Sequence, residues 1–132
     1  MKKKRIFGAF YGQVIGDALG VTYEFMNAEE TAAKISAVRE KSGRTSEDSI
    51  IPMIGCEERL IEAGQFTDDT EMALSLARSI IAKKVFDKVD VAFSYSFWLC
   101  ATQPSDSGMT TEQALQTEIF YDPSFYQFNA LL

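Results

Sequence analysis

Gly64-Gln65-Phe66-Thr67-Asp68-Asp69-Thr70-Glu71-Met72-Ala73-Leu74 is the stretch on which the reading of this chain turns. Four consecutive oxygen-bearing side chains, Thr67 to Thr70, stand where a glycine-led loop gives way to an apolar helical pattern. From Asp69 to Val85, Met72, Leu76 and Ile80, with Ala73 and Ala77, recur at three- and four-residue intervals and so share one helix face. Lys83 and Lys84 sit near its end, where positive charge complements the helix dipole. Two readings of the acidic turn stand side by side. Adjacent carboxylates flanked by hydroxyls are a donor set suited to a hard cation such as Mg²⁺ or Mn²⁺. Thr and Asp are also favoured helix caps, and Asp68 with Glu71 has the D-x-x-E form of a capping box.

Upstream lies a second unusual segment, Gly8 to Phe25, in which glycines recur at 8, 12, 16 and 20. Residues 6 to 20 read as a helix with those glycines along one face, open to close approach by another helix or to a site. Each interior glycine costs a helix roughly 1 kcal/mol against alanine, so close packing or site access is expected to offset the loss. Val21 to Phe25 leave that helix. Ala28 to Lys41 form the next one, with Ala32, Ile35 and Val38 inward and Glu29, Glu30, Lys34, Arg39 and Glu40 outward, stopped by Ser42-Gly43. Arg44 to Phe66 is the least regular region, with a short helix expected at Glu57 to Ala63.

Downstream, Asp90 is expected to cap a helix whose Val91, Ala92, Tyr95, Trp98 and Leu99 make a buried face, the aromatics being core. Thr110 with Gln113 has the form of a capping box for a last helix through Phe120. No segment alternates with period two. The chain therefore reads as all-α, a single domain over residues 1 to 132, with an aromatic tail at 120 to 132 around Asp122-Pro123.

Composition bounds the function. The 132 residues are 46% hydrophobic and 24% charged, suited to one globular domain. Net charge is -6, but four of the thirteen basic residues are Lys2 to Arg5, so residues 6 to 132 hold 9 basic against 19 acidic side chains. That acidic body argues against nucleic acid as a partner. An anionic diphosphate remains admissible if bound cations supply positive charge. There is no histidine, which removes Ser-His-Asp, Cys-His and His-zinc chemistry and leaves acid–base work to carboxylates. Cys56 and Cys100 have no metal-like spacing and suggest reduced thiols in a cytoplasm. Lys2 to Arg5 followed by Ile6 to Ile15 imitates an export signal, but Asp17 ends the apolar run and no small-residue cleavage pattern follows. A membrane span would need about 20 apolar residues, and no membrane partner is expected.

Taken together, the two segments resemble the ADP-ribosylglycohydrolase family, which includes the dinitrogenase reductase-activating glycohydrolases. Members read G-x-x-x-G-x-x-x-G-D-A-L-G with a following Glu-Phe pair, then G-x-F-T-D-D-T-x-M-x-L. Here those are Gly8 to Phe25 and Gly64 to Leu74. A weaker third match is Pro104-Ser105-Asp106-Ser107-Gly108-Met109-Thr110-Thr111, and the resemblance runs over about residues 6 to 118.

The resemblance implies an orthogonal helical bundle and hydrolysis of the glycosidic bond of an ADP-ribosylated protein or a small ADP-ribose conjugate. It implies Mg²⁺ or Mn²⁺, binuclear in complete members, on Thr67, Asp68 and Asp69. Glu24 and Asp106 occupy positions that in the family face metal and substrate, and are the candidate catalytic carboxylates; Asp17 reads as structural. One departure stands out. Relatives continue further and carry a second acidic motif, D-x-D-[ST], which nothing after Asp122 matches. The chain is accordingly expected to be truncated, whether as a fragment, a split member or a degraded one. Its activity is expected to be impaired, with a complementing carboxyl-terminal half or self-association through the aromatic tail as further expectations. A catalytically inactive module that binds ADP-ribose or metal, and a structural helical protein on the same scaffold, stay open.

Overall fold

A computed structural model describes residues 2–45, 47, 49–104 and 106–116. The aromatic tail at 120 to 132 lies outside them. The described residues are helical and contain no strand beyond an isolated antiparallel pairing of Cys56 with Ile61. The all-α expectation is met. Two compact units are distinguished, Met1–Phe66 and Thr67–Leu132. None of the helices among the described residues is long and apolar enough to cross a membrane.

The first unit opens with α1, Lys2–Gly20. It takes in the basic run Lys2 to Arg5, which the sequence reading left outside, although positive charge at a helix start opposes the dipole. Within this unit, no described atom lies within 4 Å of a Cβ built at Gly8, Gly12, Gly16 or Gly20. The glycine face is therefore open here rather than closely packed. A single 3-10 turn, Val21–Tyr23, leads away from it. Next comes α2, Ala28–Lys41, with the bounds expected. Asn27 starts it with a full capping box: its side chain accepts from the N–H groups of Glu29 and Glu30 (3.0 Å each), and Glu30 accepts from Asn27 N–H (2.9 Å). Gly43, at φ +67°, ends it as Ser42-Gly43 foretold.

The facing of α2 differs from expectation. Ala32 is exposed, while Lys34 and Arg39 are half-buried beside Ile35 and Val38. Lys34 lays its stem inward and donates from Nζ to Thr22 O at 3.3 Å, which is how a long cation covers apolar surface. The helix expected at Glu57 to Ala63 is only a 3-10 turn, Glu57–Arg59. Leu60 then adopts φ 56°, and Cys56 and Ile61 exchange backbone hydrogen bonds (2.9 and 3.0 Å). A Cβ at Gly55 would meet Ile61 O at 2.6 Å, so this turn closes only over glycine. Val21, Cys56 and Ile61 form the buried cluster of the unit.

In the second unit α3, Asp68–Lys83, packs on α4, Lys88–Phe97, and α4 on α5, Met109–Leu115. The α4 backbone widens into one π turn, Trp98–Thr102. Val91, Ala92 and Trp98 are buried as expected, with Tyr95 and Leu99 half-buried. The cap is not Asp90 but Asp87, which accepts from Val89 and Asp90 N–H (3.0 and 3.2 Å). Nor does Thr110 cap α5: the N-cap is Gly108, without a side-chain bond. The stretch from 117 to Phe120 lies outside the described residues.

Released from capping, Asp90 accepts from Ser79 Oγ (2.6 Å) and pairs with Lys83 Nζ (3.2 Å). Ser79 is 3% exposed, so its hydroxyl depends on that acceptor. Asp90→Ala is expected to cost about 1–3 kcal/mol by stranding a buried donor, measured by urea unfolding. The Ser79 hydroxyl first, then Lys83, holds the Asp90 carboxyl below its ordinary value. A carboxyl lowered in the folded state stabilises above its unfolded pKa and stops doing so as pH falls through the lowered value. The difference between parent and variant should therefore shrink in acid; a difference that grows there would contradict this assignment.

Candidate functional site

The acidic turn is built by a change of backbone direction. Gly64 takes φ +84°, and the loop before it is tied by Glu62 N–H to Gln65 Oε1 (3.0 Å) and Gln65 N–H to Glu62 O (3.1 Å). Thr67 is extended (φ -115°, ψ -162°) and is the N-cap residue of α3, without a side-chain capping bond. Its carbonyl accepts from Glu71 N–H at 3.1 Å. The capping-box reading of Asp68 and Glu71 is thus overturned. Asp68 is the first helical residue, and Glu71 turns to Trp98, whose indole Nε1–H donates to its carboxylate. Trp98 is 6% exposed, so this bond satisfies a buried donor and braces the first turn of α3 against α4.

Asp68 and Asp69 are left in the first turn, where the orphan N–H groups favour negative charge. Asp68 is half-buried and Asp69 exposed; Thr70, directly behind them, is fully buried. The loop after the π turn then approaches: Gly108 N–H donates to Asp68 Oδ2 at 3.3 Å. The same loop carries Asp106, half-buried, and is fastened to α5 by Ser107 Oγ donating to the Glu112 carboxylate. Burial first, and then the charges of Asp106 and Asp69, push the Asp68 carboxyl above its ordinary value, while the Gly108 N–H and the Thr67 hydroxyl act the other way. A like charge close to a carboxylate disfavours its ionised form.

Of the residues singled out in the sequence, Thr67, Asp68, Asp69 and Asp106 all lie in the second unit, the Asp106 loop meeting the start of α3 at Asp68. Glu24 lies in the first unit, just after the Val21–Tyr23 turn, where Arg59 pairs with it. Asp17 is half-buried within α1. Among the described residues no group of three or more His, Cys, Asp or Glu side chains is gathered tightly enough to hold a metal ion by itself. The donors at 67 to 69 are oxygens, crowded and partly desolvated, which suits a hard divalent ion in kind but supplies only part of its six or more ligands. Three participants were missed in the sequence: the Gly108 N–H, the Glu71–Trp98 bond and Arg59. None has a local signature, since each acts on a residue at least 27 positions away.

The second unit thus sets an acidic helix start against a loop that carries a further carboxylate. The ADP-ribosylglycohydrolase family model matches residues 1–126, and this chain belongs to that family. The ADP-ribosyl-[dinitrogen reductase] glycohydrolase of Rhodospirillum rubrum is 38% identical over 112 residues, which are 85% of this chain and 34% of that protein. Human ADP-ribosylhydrolase ARH3 is 35% identical over 92 residues, 70% of this chain and 23% of that protein. ADP-ribosylarginine hydrolase Tri1 of Pseudomonas putida (strain GB-1) is 30% identical over 118 residues, 85% of this chain and 27% of that protein. The chain therefore spans about a third or less of the length of these curated relatives.

Proposed function

We propose that this chain carries part of the site of a metal-dependent hydrolase that cleaves the glycosidic bond linking ADP-ribose to a protein side chain or a small leaving group. The observation that carries the reading is the Asp68 carboxylate, half-buried at a helix start, held by Gly108 N–H and crowded by Asp69 and Asp106. Thr67, Asp68 and Asp69 would hold Mg²⁺ or Mn²⁺. A divalent ion there supplies Lewis acidity and a bound water of lowered pKa. Asp106 and Glu24 are the carboxylates assigned to the ribose: each can accept a hydrogen bond from a sugar hydroxyl, stabilise positive charge at the anomeric carbon, or take a proton from the attacking water. The names of the relatives, which act on ADP-ribosyl-dinitrogen reductase or ADP-ribosylarginine, support this substrate class. The family match runs from residue 1 to 126 and supports reading both units as one family domain. The free thiols Cys56 and Cys100 support a reducing, cytoplasmic setting.

Calorimetric titration with Mn²⁺ and Mg²⁺ tests the metal assignment. The parent chain is expected to bind more weakly than a closed binuclear site, and Asp68→Ala/Asp69→Ala to lose the heat altogether. Identical heats for the two proteins would refute it. The described residues gather no three-ligand cluster, which favours a second reading, an ADP-ribose-binding module without turnover. ADP-ribose binding with no release from a modified protein, even after complementation, would select it.

A further inference from the structure

Three contacts converge on one guanidinium in the first unit. Arg59 closes the 3-10 turn Glu57–Arg59, and its Nη1 pairs with Glu24 Oε2. The same nitrogen reaches Val21 O at 3.5 Å, and the guanidinium carbon stands 5.8 Å from the centroid of the Phe25 ring. All three partners belong to residues 21–25, the short run that leaves α1. Phe25 itself is unusual: it is 89% exposed and has φ 65°, a backbone conformation that a bulky residue adopts only where its surroundings enforce it. The turn bearing Arg59 is a firm base. Thr22 Oγ1 donates to Ile54 O at 2.8 Å, and Val21, Cys56 and Ile61 are buried together between the two turns.

A half-exposed ion pair alone holds a side chain only weakly. A guanidinium whose Nη1 meets a carboxylate and a carbonyl while its carbon stands over a ring is held in position and orientation at once, which an ammonium matches less well. We propose that Arg59 is the positioning residue of Glu24: it aims the carboxylate and holds the Glu24-Phe25 turn, while the Glu24 side chain, 46% exposed, stays open to a ligand. A glutamate on a free loop would lose rotamer entropy each time it ordered against a ribose; with Arg59 in place that ordering is done beforehand. The inference rests on the role given to Glu24 above.

The test is ADP-ribose binding by calorimetry with Mg²⁺ present, for the whole chain and four variants. Glu24→Gln and Arg59→Gln are each expected to weaken binding about tenfold, as for a hydrogen bond to a charged group. Glu24→Gln/Arg59→Gln is expected to be no weaker than either alone, because Arg59 acts through Glu24. Arg59→Lys, which keeps the charge, recovers part of the loss and guards against a folding artefact, with far-UV circular dichroism as control. Effects that add in the double variant, or an Arg59→Gln chain that folds and binds as the parent does while Glu24→Gln binds weakly, overturn the positioning role and leave Glu24 standing. A parent chain that binds no ADP-ribose, or a Glu24→Gln chain that binds it unchanged, overturns the role of Glu24 and this inference with it.

Discussion

A polypeptide of residues 1 to 132 alone is expected to release ADP-ribose from a modified protein at least about a hundredfold more slowly than the same polypeptide supplied with the remaining two thirds of a relative's domain. On the proposed function, chemistry at the ribose carbon would call for a substrate held by metal, a carboxylate in register and exclusion of bulk water. The described residues offer oxygen donors at Thr67, Asp68 and Asp69 but no three-ligand cluster. A substrate held by an incomplete set of ligands would be loosely placed, and misplacement of about 1 Å costs about a hundredfold in rate. The measurement is ADP-ribose release with Mg²⁺ or Mn²⁺, before and after complementation in cis or in trans. Robust turnover by the 132 residues alone, abolished by Asp69→Asn, would show that the site needs no further ligands. Turnover indifferent to Asp69→Asn would undo the assignment of the acidic turn.

Trp98→Ala should be the most damaging single core change, at about 3–5 kcal/mol. Trp98 is 6% exposed on the joint between α4 and its π turn, and the indole N–H is the partner of the Glu71 carboxylate. Truncation opens a cavity and strands a carboxylate in the first turn of α3. Small domains hold only about 5–15 kcal/mol in all, so much of the stability of the second unit depends on this residue. Denaturant unfolding separates the two contributions. Trp98→Phe loses the N–H and the second ring but keeps an aromatic ring in the pocket, and should cost less, about 1–3 kcal/mol. Equal losses for the two variants would mean that the Glu71 bond, not packing, dominates. Because Glu71 follows Asp68 and Asp69 by less than one turn, both variants should also weaken Mn²⁺ binding.

Much of the fold was legible because helices are local objects. The bounds of α2 follow from its spacing of apolar and charged residues and the stop at Ser42-Gly43, and the buried face of α4 from the spacing of Val91, Ala92 and Trp98. The acidic turn was legible as a candidate site for the same reason: its four oxygen side chains are contiguous. Where local rules were ambiguous they misled. Asp68, Asp90 and Thr110 each had the chemistry of a cap, and none is one. Their competitors, Thr67, Asp87 and Gly108, stand one to three residues away, and a few tenths of a kcal/mol between neighbouring caps is settled by packing.

The sequence by itself determined the helical class, the acidic turn and its kinship with a family of hydrolases, all carried by short-range spacing. Only the tertiary structure decided what the ambiguous polar side chains do. Glu71 serves Trp98 rather than a cap, Asp90 serves Ser79 and Lys83, Gly108 meets Asp68, and Arg59 holds Glu24. Those partners are 7 to 40 residues apart along the chain. No sequence period encodes such pairings. They form because a polar group taken out of water must find a partner, and which partner is within reach depends on how the elements pack.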